Sequence, residues 1–357
     1  MNQLRPAAPQ LASIEPYDPK YIPADVMISA NENPLDVPFE IRREVERAVR
    51  KVALNRYPDP LANELRDMIA QANGLDRDQV LMGNGGDELL FGIALAWGGP
   101  GRTFLNMPPT FSVYKNNAQL TNTRIVDVPR RADFTVDEEA VIARLAQGDI
   151  DYTIVTSPNN PTGDVVSGTF VKRMLEAADT LVMVDEAYFE FSRYTVRPLL
   201  EQYDNLVVLR TFSKAFSMAG VRMGYLLGNE CALREFKKVR QPYSVDAVSQ
   251  AIARVVYENR AKFEPGIDAI IAQRARMIEA LAALPGIEPF PSQANYVLFR
   301  FDAAVDAGAV WQELLDAGVL VRDFSRSPGL ENCLRVSIGS ESENTRFLQT
   351  LEEILVR

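Results

Sequence analysis

Three segments decide the fold: Tyr152 to Gly163 reads YTIVTSPNNPTG, Leu181 to Tyr188 reads LVMVDEAY, and Leu206 to Lys214 reads LVVLRTFSK. Each begins with a short apolar run, of strand rather than helix length, and passes directly into a polar loop. Four more such runs, at Gln79 to Met82, Thr103 to Asn106, Arg124 to Val128 and Met223 to Leu227, alternate with helical or loop segments. Strands spaced in this way specify an α/β domain with a mostly parallel sheet and helices on both faces. In an open sheet of that kind ligands bind beyond the C-terminal ends of the strands. The three loops are therefore expected to converge and to collect Asn160, Asp185, Tyr188 and Lys214 in one site.

Working outward, Phe39 to Val52 places Ile41, Val45, Val49 and Val52 on one helical face, with Arg42, Arg43, Arg47, Arg50 and Lys51 largely elsewhere, as on a solvated helix surface. The first 24 residues carry Pro6, Pro9, Pro16, Pro19 and Pro23 and read as an extended arm. Near residue 245 the rhythm changes to a long helical stretch that Pro285 and Gly286 close. Strands are expected at Tyr296 to Phe301, Val319 to Phe324 and Leu334 to Ile338, with helices at Val305 to Ala317 and Ser342 to Leu355. The expected organisation is an arm over residues 1–38, a large domain over 39–245 and a smaller C-terminal α+β domain over 246–357.

The 357 residues divide into about two domains of ordinary size, and 47% apolar content gives each a core. Lys and Arg number 38 against 48 Asp and Glu, a net charge of −10, which repels phosphate backbones and anionic lipid. Nucleic acid and membrane are thus not expected as partners, and the longest apolar stretch, Leu89 to Gly99, is too short to span a bilayer. The chain has no histidine, which removes Ser-His-Asp and Cys-His nucleophiles and the HExxH zinc site. Two cysteines, Cys231 and Cys333, cannot hold a zinc ion alone and read as reduced thiols, so no metal is expected and a cytoplasmic location is.

A glycine-rich loop, Gly83 to Glu88 (GNGGDE), lies between an expected strand and the helix expected to start near Glu88. It fails as a dinucleotide fingerprint, because GxGxxG counted from Gly83 meets Glu88 at the last glycine. A single phosphate on the free N–H groups of a helix start suits it better. Together with the three strand-end loops it matches pyridoxal 5'-phosphate atom by atom. Lys214 supplies the Schiff-base amine and Asp185 a carboxylate for the pyridinium nitrogen, while Asn160 and Tyr188 reach the phenolate oxygen. Arg222, Thr211 and Ser213 serve the phosphate beside the N–H groups of Gly86 and Asp87.

The order GNGGDE, SPNNPTG, DEAY and TFSKAFSMAGVRMGY, with Lys214 eight residues before Arg222, resembles the fold-type I pyridoxal-phosphate-dependent aminotransferases over nearly the whole chain. NENP at Asn31 to Pro34, NRYPDP at Asn55 to Pro60, VRD at Val321 to Asp323 and CLRVSIG at Cys333 to Gly339 are similar to histidinol-phosphate aminotransferases. The resemblance implies that Phe111 stacks on the cofactor ring, where the family usually has tyrosine. It implies a homodimer with shared active sites, in which Tyr57 reaches the neighbouring subunit's cofactor phosphate. Arg335 matches the arginine that grips the substrate carboxylate or phosphate, and Arg322 and Tyr17 match further phosphate ligands. Tyr243 is a further pocket candidate.

The implied reaction is ping-pong transfer of an amino group between histidinol phosphate and 2-oxoglutarate, a step of histidine biosynthesis, with Lys214, Asp185 and Tyr188 as catalytic residues. An aromatic amino-acid aminotransferase on the same scaffold is the main alternative, since Arg335 serves a carboxylate as well as a phosphate. Decarboxylation of a phosphorylated amino acid is also compatible with such a scaffold. A non-catalytic cofactor-binding regulator is disfavoured by the complete lysine and carboxylate set.

Overall fold

The computed structural model describes residues 4, 5, 7–14 and 22–356. Its thirteen strands are β1 (Val26–Met27), β2 (Val80–Asn84), β3 (Thr103–Asn106), β4 (Arg124–Asp127), β5 (Tyr152–Thr156), β6 (Leu181–Asp185), β7 (Leu206–Thr211), β8 (Met223–Gly228), β9 (Ile287–Pro289), β10 (Tyr296–Phe301), β11 (Val319–Leu320), β12 (Arg322–Asp323) and β13 (Cys333–Ser337). All seven strands expected in the first 230 residues form one sheet, in the order β2-β8-β7-β6-β5-β3-β4. β3, β4, β5, β6 and β7 run parallel to one another, while β8 runs antiparallel to both β7 and β2.

The central strands β5, β6, β7 and β8 are buried at every position, which is why they read as unbroken apolar runs. Alternate residues serve two cores. Val182, Val184, Leu206 and Val208 pack with Leu65, Ile69, Phe170 and Met174, whereas Leu181, Met183, Val207 and Leu209 pack with Leu89, Ile93, Leu233 and Phe236. Helices therefore cover both faces.

The C-terminal part builds a four-stranded antiparallel sheet, β12-β13-β10-β9. Two expectations need correction here. The segment Val319 to Phe324 is not one strand: β11 pairs in parallel with β1 from the N-terminal segment, and β12 pairs with β13. The helical stretch after residue 245 is broken into Ala247–Glu258, a 3-10 turn Arg260–Phe263 and Glu264–Ala283, because Pro265 fits only a first helical turn. The two-residue β1 and the three-residue β9 carry too little pattern to be read in advance.

The strand ends position the site. Thr156, Asp185 and Thr211 are the last residues of β5, β6 and β7, and because β8 runs the other way, Arg222 precedes its first residue at the same sheet edge.

Candidate active site

A cavity of about 490 Å³ opens at that edge, and its lining includes Gly86, Asp87, Phe111, Asn160, Asp185, Tyr188, Thr211, Ser213, Lys214, Arg222, Arg322 and Arg335. One of the expected site residues that the structure describes is not among them. Tyr57 is 82% exposed and stacks on Tyr243, with ring centroids 4.5 Å apart, outside the cavity. Tyr17 lies outside the described residues. Tyr243 does not line the cavity either.

One end of the cavity is an anion cup. The helix expected near Glu88 begins earlier, at Gly85, so the first-turn N–H groups of Gly86 and Asp87 lack intrahelical partners. Gly85 has φ +73°, and a Cβ there would sit 2.5 Å from a guanidinium nitrogen of Arg222, so only glycine lets the arginine close the cup. Arg222 is held by the Asp87 carboxylate at 2.6 Å. Thr211 Oγ1 lies 3.0 Å from Ser213 Oγ and 3.2 Å from the Met223 carbonyl, and both residues line the cavity.

The floor carries the titrating groups. Asp185 Oδ1 accepts from the Ala187 N–H at 3.0 Å, and burial raises its carboxyl to about 6 against the pull of that bond and of a tyrosine hydroxyl. Lys214 Nζ donates to the Ala30 carbonyl at 3.1 Å. Burial, reinforced by repulsion from Arg335, brings the ammonium down to about 8, so a neutral amine is accessible near neutral pH. Nζ stands 5.8 Å from the centre of the Tyr188 ring. Burial pushes the Tyr188 phenol up, against attraction from Arg335, and its oxygen accepts from Asn31 Nδ2 at 3.0 Å.

The opposite wall comes from the small sheet. Arg322 and Arg335 stand directly across from each other in the β12–β13 register. Their guanidinium carbons lie 5.8 and 5.5 Å from the centre of the Phe324 ring, which sits beside both. Arg335 is buried, donates to Asn160 Oδ1 and bonds the Ser29 carbonyl at 2.8 Å. Among the described residues Arg322 has its ring contact and no ion pair, so it is not engaged by a surface carboxylate.

Several participants were given no role by the sequence, although Asn31 and Asn33 lie in the NENP motif. Ala30, Asn31 and Asn33 clasp the site from the N-terminal segment, with Asn33 Nδ2 bonding the carbonyls of Lys214 and Ala215 at 3.2 and 3.1 Å. Asn31 has φ +56° and is held by Ser337 and Asn295, contacts that no local pattern announces. Tyr114, Thr156 and Phe324 also line the cavity. The donor set has the chemistry to hold pyridoxal 5'-phosphate: an anion cup that a Cβ at residue 85 would fill, a carboxylate at the floor, a phenol and an amide beside it, and a lysine amine above.

Residues 25–351 match the family model of the class I and II aminotransferases. A histidinol-phosphate aminotransferase of Carboxydothermus hydrogenoformans is 38% identical over 355 residues, covering 99% of this chain and all of that protein. One from Chlorobaculum tepidum is 37% identical over 93% of this chain and 94% of that protein. The solved histidinol-phosphate aminotransferase of Sinorhizobium meliloti, in complex with pyridoxal 5'-phosphate, superposes with a TM-score of 0.88 at 24% identity, covering 99% of this chain and 98% of that one.

Proposed function

The chain belongs to the class I and II aminotransferases, and from that footing we propose that it is a pyridoxal 5'-phosphate enzyme transferring an amino group between histidinol phosphate and 2-oxoglutarate in histidine biosynthesis. One observation carries the reading. The cavity joins a lysine, a buried carboxylate and an anion cup on the large sheet to a pair of arginines in register on the small one. Curated relatives that match nearly end to end are histidinol-phosphate aminotransferases.

Gly86, Asp87, Thr211, Ser213 and Arg222 would hold the cofactor phosphate, Asp185 the ring nitrogen, Asn160 and Tyr188 the phenolate oxygen, Phe111 the ring face, and Lys214 the covalent attachment. Bound there, the cofactor supplies an electron sink for negative charge at the substrate α-carbon. Lys214 Nζ takes up and returns the α-proton; its lowered basicity gives it a neutral fraction at working pH, and the chain has no histidine to share the task. Arg335 and Arg322 bind and orient the substrate phosphate, and Arg335 also receives the α-carboxylate of the second substrate. The order is ping-pong, the keto product of the amino donor leaving before 2-oxoglutarate binds.

The active unit of this reading is a homodimer with Tyr57 completing the neighbour's phosphate cup. In support, Tyr57 is not among the residues lining its own cavity, and Leu35, Phe39, Leu54, Tyr57 and Tyr243 all leave large apolar or aromatic surface exposed. The arm, large and small domains follow the boundaries 1–38, 39–245 and 246–357. Tyr17 belongs to the substrate phosphate site in this reading. The location is the cytoplasm, supported by two unpaired cysteines; among the described residues no helix is long and apolar enough to cross a membrane.

A panel of amino donors offered with 2-oxoglutarate tests the substrate. Histidinol phosphate is expected to give the fastest glutamate formation. Faster turnover of phenylalanine or tyrosine would replace the reading with the aromatic aminotransferase, and a protein that binds the cofactor but turns over no donor would replace it with a regulator.

A further inference from the structure

Asp185 sits at the bottom of a hydrogen-bond chain that the reaction as described does not use. Tyr114, on the helix Val113–Leu120, is 1% exposed. Its hydroxyl lies 2.7 Å from Asp185 Oδ2 and 2.7 Å from Thr156 Oγ1. A carboxylate only accepts, so the phenol proton goes to Asp185 and the Thr156 hydroxyl donates to the phenol oxygen. The same ring stands edge-on to Phe111, with centroids 5.6 Å apart and planes at 86°, so one side chain braces both the floor and a wall of the cavity.

Why this bond matters follows from what else faces Asp185. Glu186 beside it and Asp87 from the first turn of Gly85–Trp97 both repel its charge. Each is turned elsewhere: Glu186 pairs with the buried Arg210 and Asp87 with Arg222. The cations Lys214 and Arg222 share the cavity, and Tyr188 stands beside it. Among the described residues Tyr114 is the side chain that donates to the Asp185 carboxylate, with the Ala187 N–H on the other oxygen. Burial and the Asp185 charge push the phenol well above its ordinary value, so it stays a neutral donor.

We propose that Tyr114 is a positioning residue, relayed by Thr156, that keeps Asp185 ionised and aimed at the cofactor ring nitrogen. This rests on the role given to Asp185 above. Asp185 already lies near 6, so removing one donor to its charged form moves it toward neutrality at working pH. In the loaded protein the proton shared with the ring nitrogen then shifts onto the carboxylate. Because the proton count of the pair does not change, raising the pH does not put it back.

The test uses Tyr114→Phe, which keeps the ring and its packing. In the apoprotein, the infrared band of the protonated carboxyl is assigned to Asp185 by its loss in Asp185→Asn. Its midpoint is expected to rise by about one unit in Tyr114→Phe, a tenfold change in ionisation at a given pH, and by less in Thr156→Val. A midpoint unchanged in both variants overturns the proposal. In protein loaded with cofactor labelled with ¹⁵N in the ring, the nitrogen signal is expected to move from the protonated toward the neutral position in Tyr114→Phe; an unmoved signal also overturns it. If Asp185→Asn leaves that signal unchanged, the Asp185 assignment itself fails, which separates the two claims. Should Tyr114→Phe not fold, Thr156→Val carries the same readouts.

Discussion

Replacing Arg322 with alanine separates a phosphate-reading enzyme from a carboxylate-reading one. Arg322 and Arg335 stand opposite each other in register, with the Phe324 ring beside both, and Arg322 has no ion pair of its own among the described residues. Its side chain is half-buried and anchors nothing else, so the variant should fold and melt like the parent. The loss falls on the ligand. A phosphate dianion accepts more charge-assisted bonds than a carboxylate and engages both guanidiniums, whereas an amino-acid carboxylate is satisfied by Arg335. One such bond is worth about 1.5 to 3 kcal/mol, so kcat/KM for histidinol phosphate should fall roughly ten- to a hundredfold. The assay is glutamate formation at limiting histidinol phosphate, with phenylalanine as the comparison donor and the glutamate half-reaction as the control. Glutamate and phenylalanine should lose threefold or less, by order of magnitude, since Arg335 alone satisfies their carboxylates. Equal losses for both classes of donor, or none for histidinol phosphate, would refute the reasoning.

Lys214→Ala should retain the fold and abolish nearly all turnover, checked by melting temperature beside rate; turnover at the parental level would refute its role. Asp185→Ala should cost far more in kcat than in cofactor occupancy, because the phosphate cup survives it; a near-parental rate would contradict the assignment. Mixing inactive Lys214→Ala chains with inactive Tyr57→Ala chains should restore partial activity, since one hybrid site receives both intact groups, and no recovery after demonstrated subunit exchange would count against the shared site. Glu190 is buried, its Oε2 has no partner among the described residues, and burial pushes its carboxyl up to about 8 against attraction from Arg210 and with repulsion from Glu186 and Glu264. A raised folded-state value means stability that is full below the unfolded value and is lost as pH rises toward 8. Glu190→Gln should therefore melt increasingly above the parent between about pH 5 and 8, and a constant difference across that range would show that Glu190 is not the group titrating.

The sheet and the strand-end half of the site were legible because their signals are local. An apolar run buried on both faces followed by SPNNPTG, DEAY or TFSK states both a strand and its functional end, and Asn160, Asp185, Tyr188 and Lys214 line one cavity. Other contacts depend on residues far apart in the chain. Asn31 meets Tyr188 across 157 positions, and Arg335 meets Asn160 across 175, pairings set by how the small sheet docks on the large one. Tyr114 reads as an ordinary core aromatic, and only the approach of β6 turns its hydroxyl into a donor to Asp185. The break between β11 and β12 had no local mark either, because it arises from pairing with the N-terminal β1. Tyr57, exposed in one chain, has its proposed partner in another.

The most direct test of the central claim is to run the two half-reactions separately on protein loaded with pyridoxal 5'-phosphate. Histidinol phosphate alone should discharge the yellow colour of the bound cofactor and release one keto product per site. After the small molecules are removed, 2-oxoglutarate alone should restore the colour and release one glutamate per site. A protein whose colour histidinol phosphate leaves unchanged, while phenylalanine discharges it, would contradict the account.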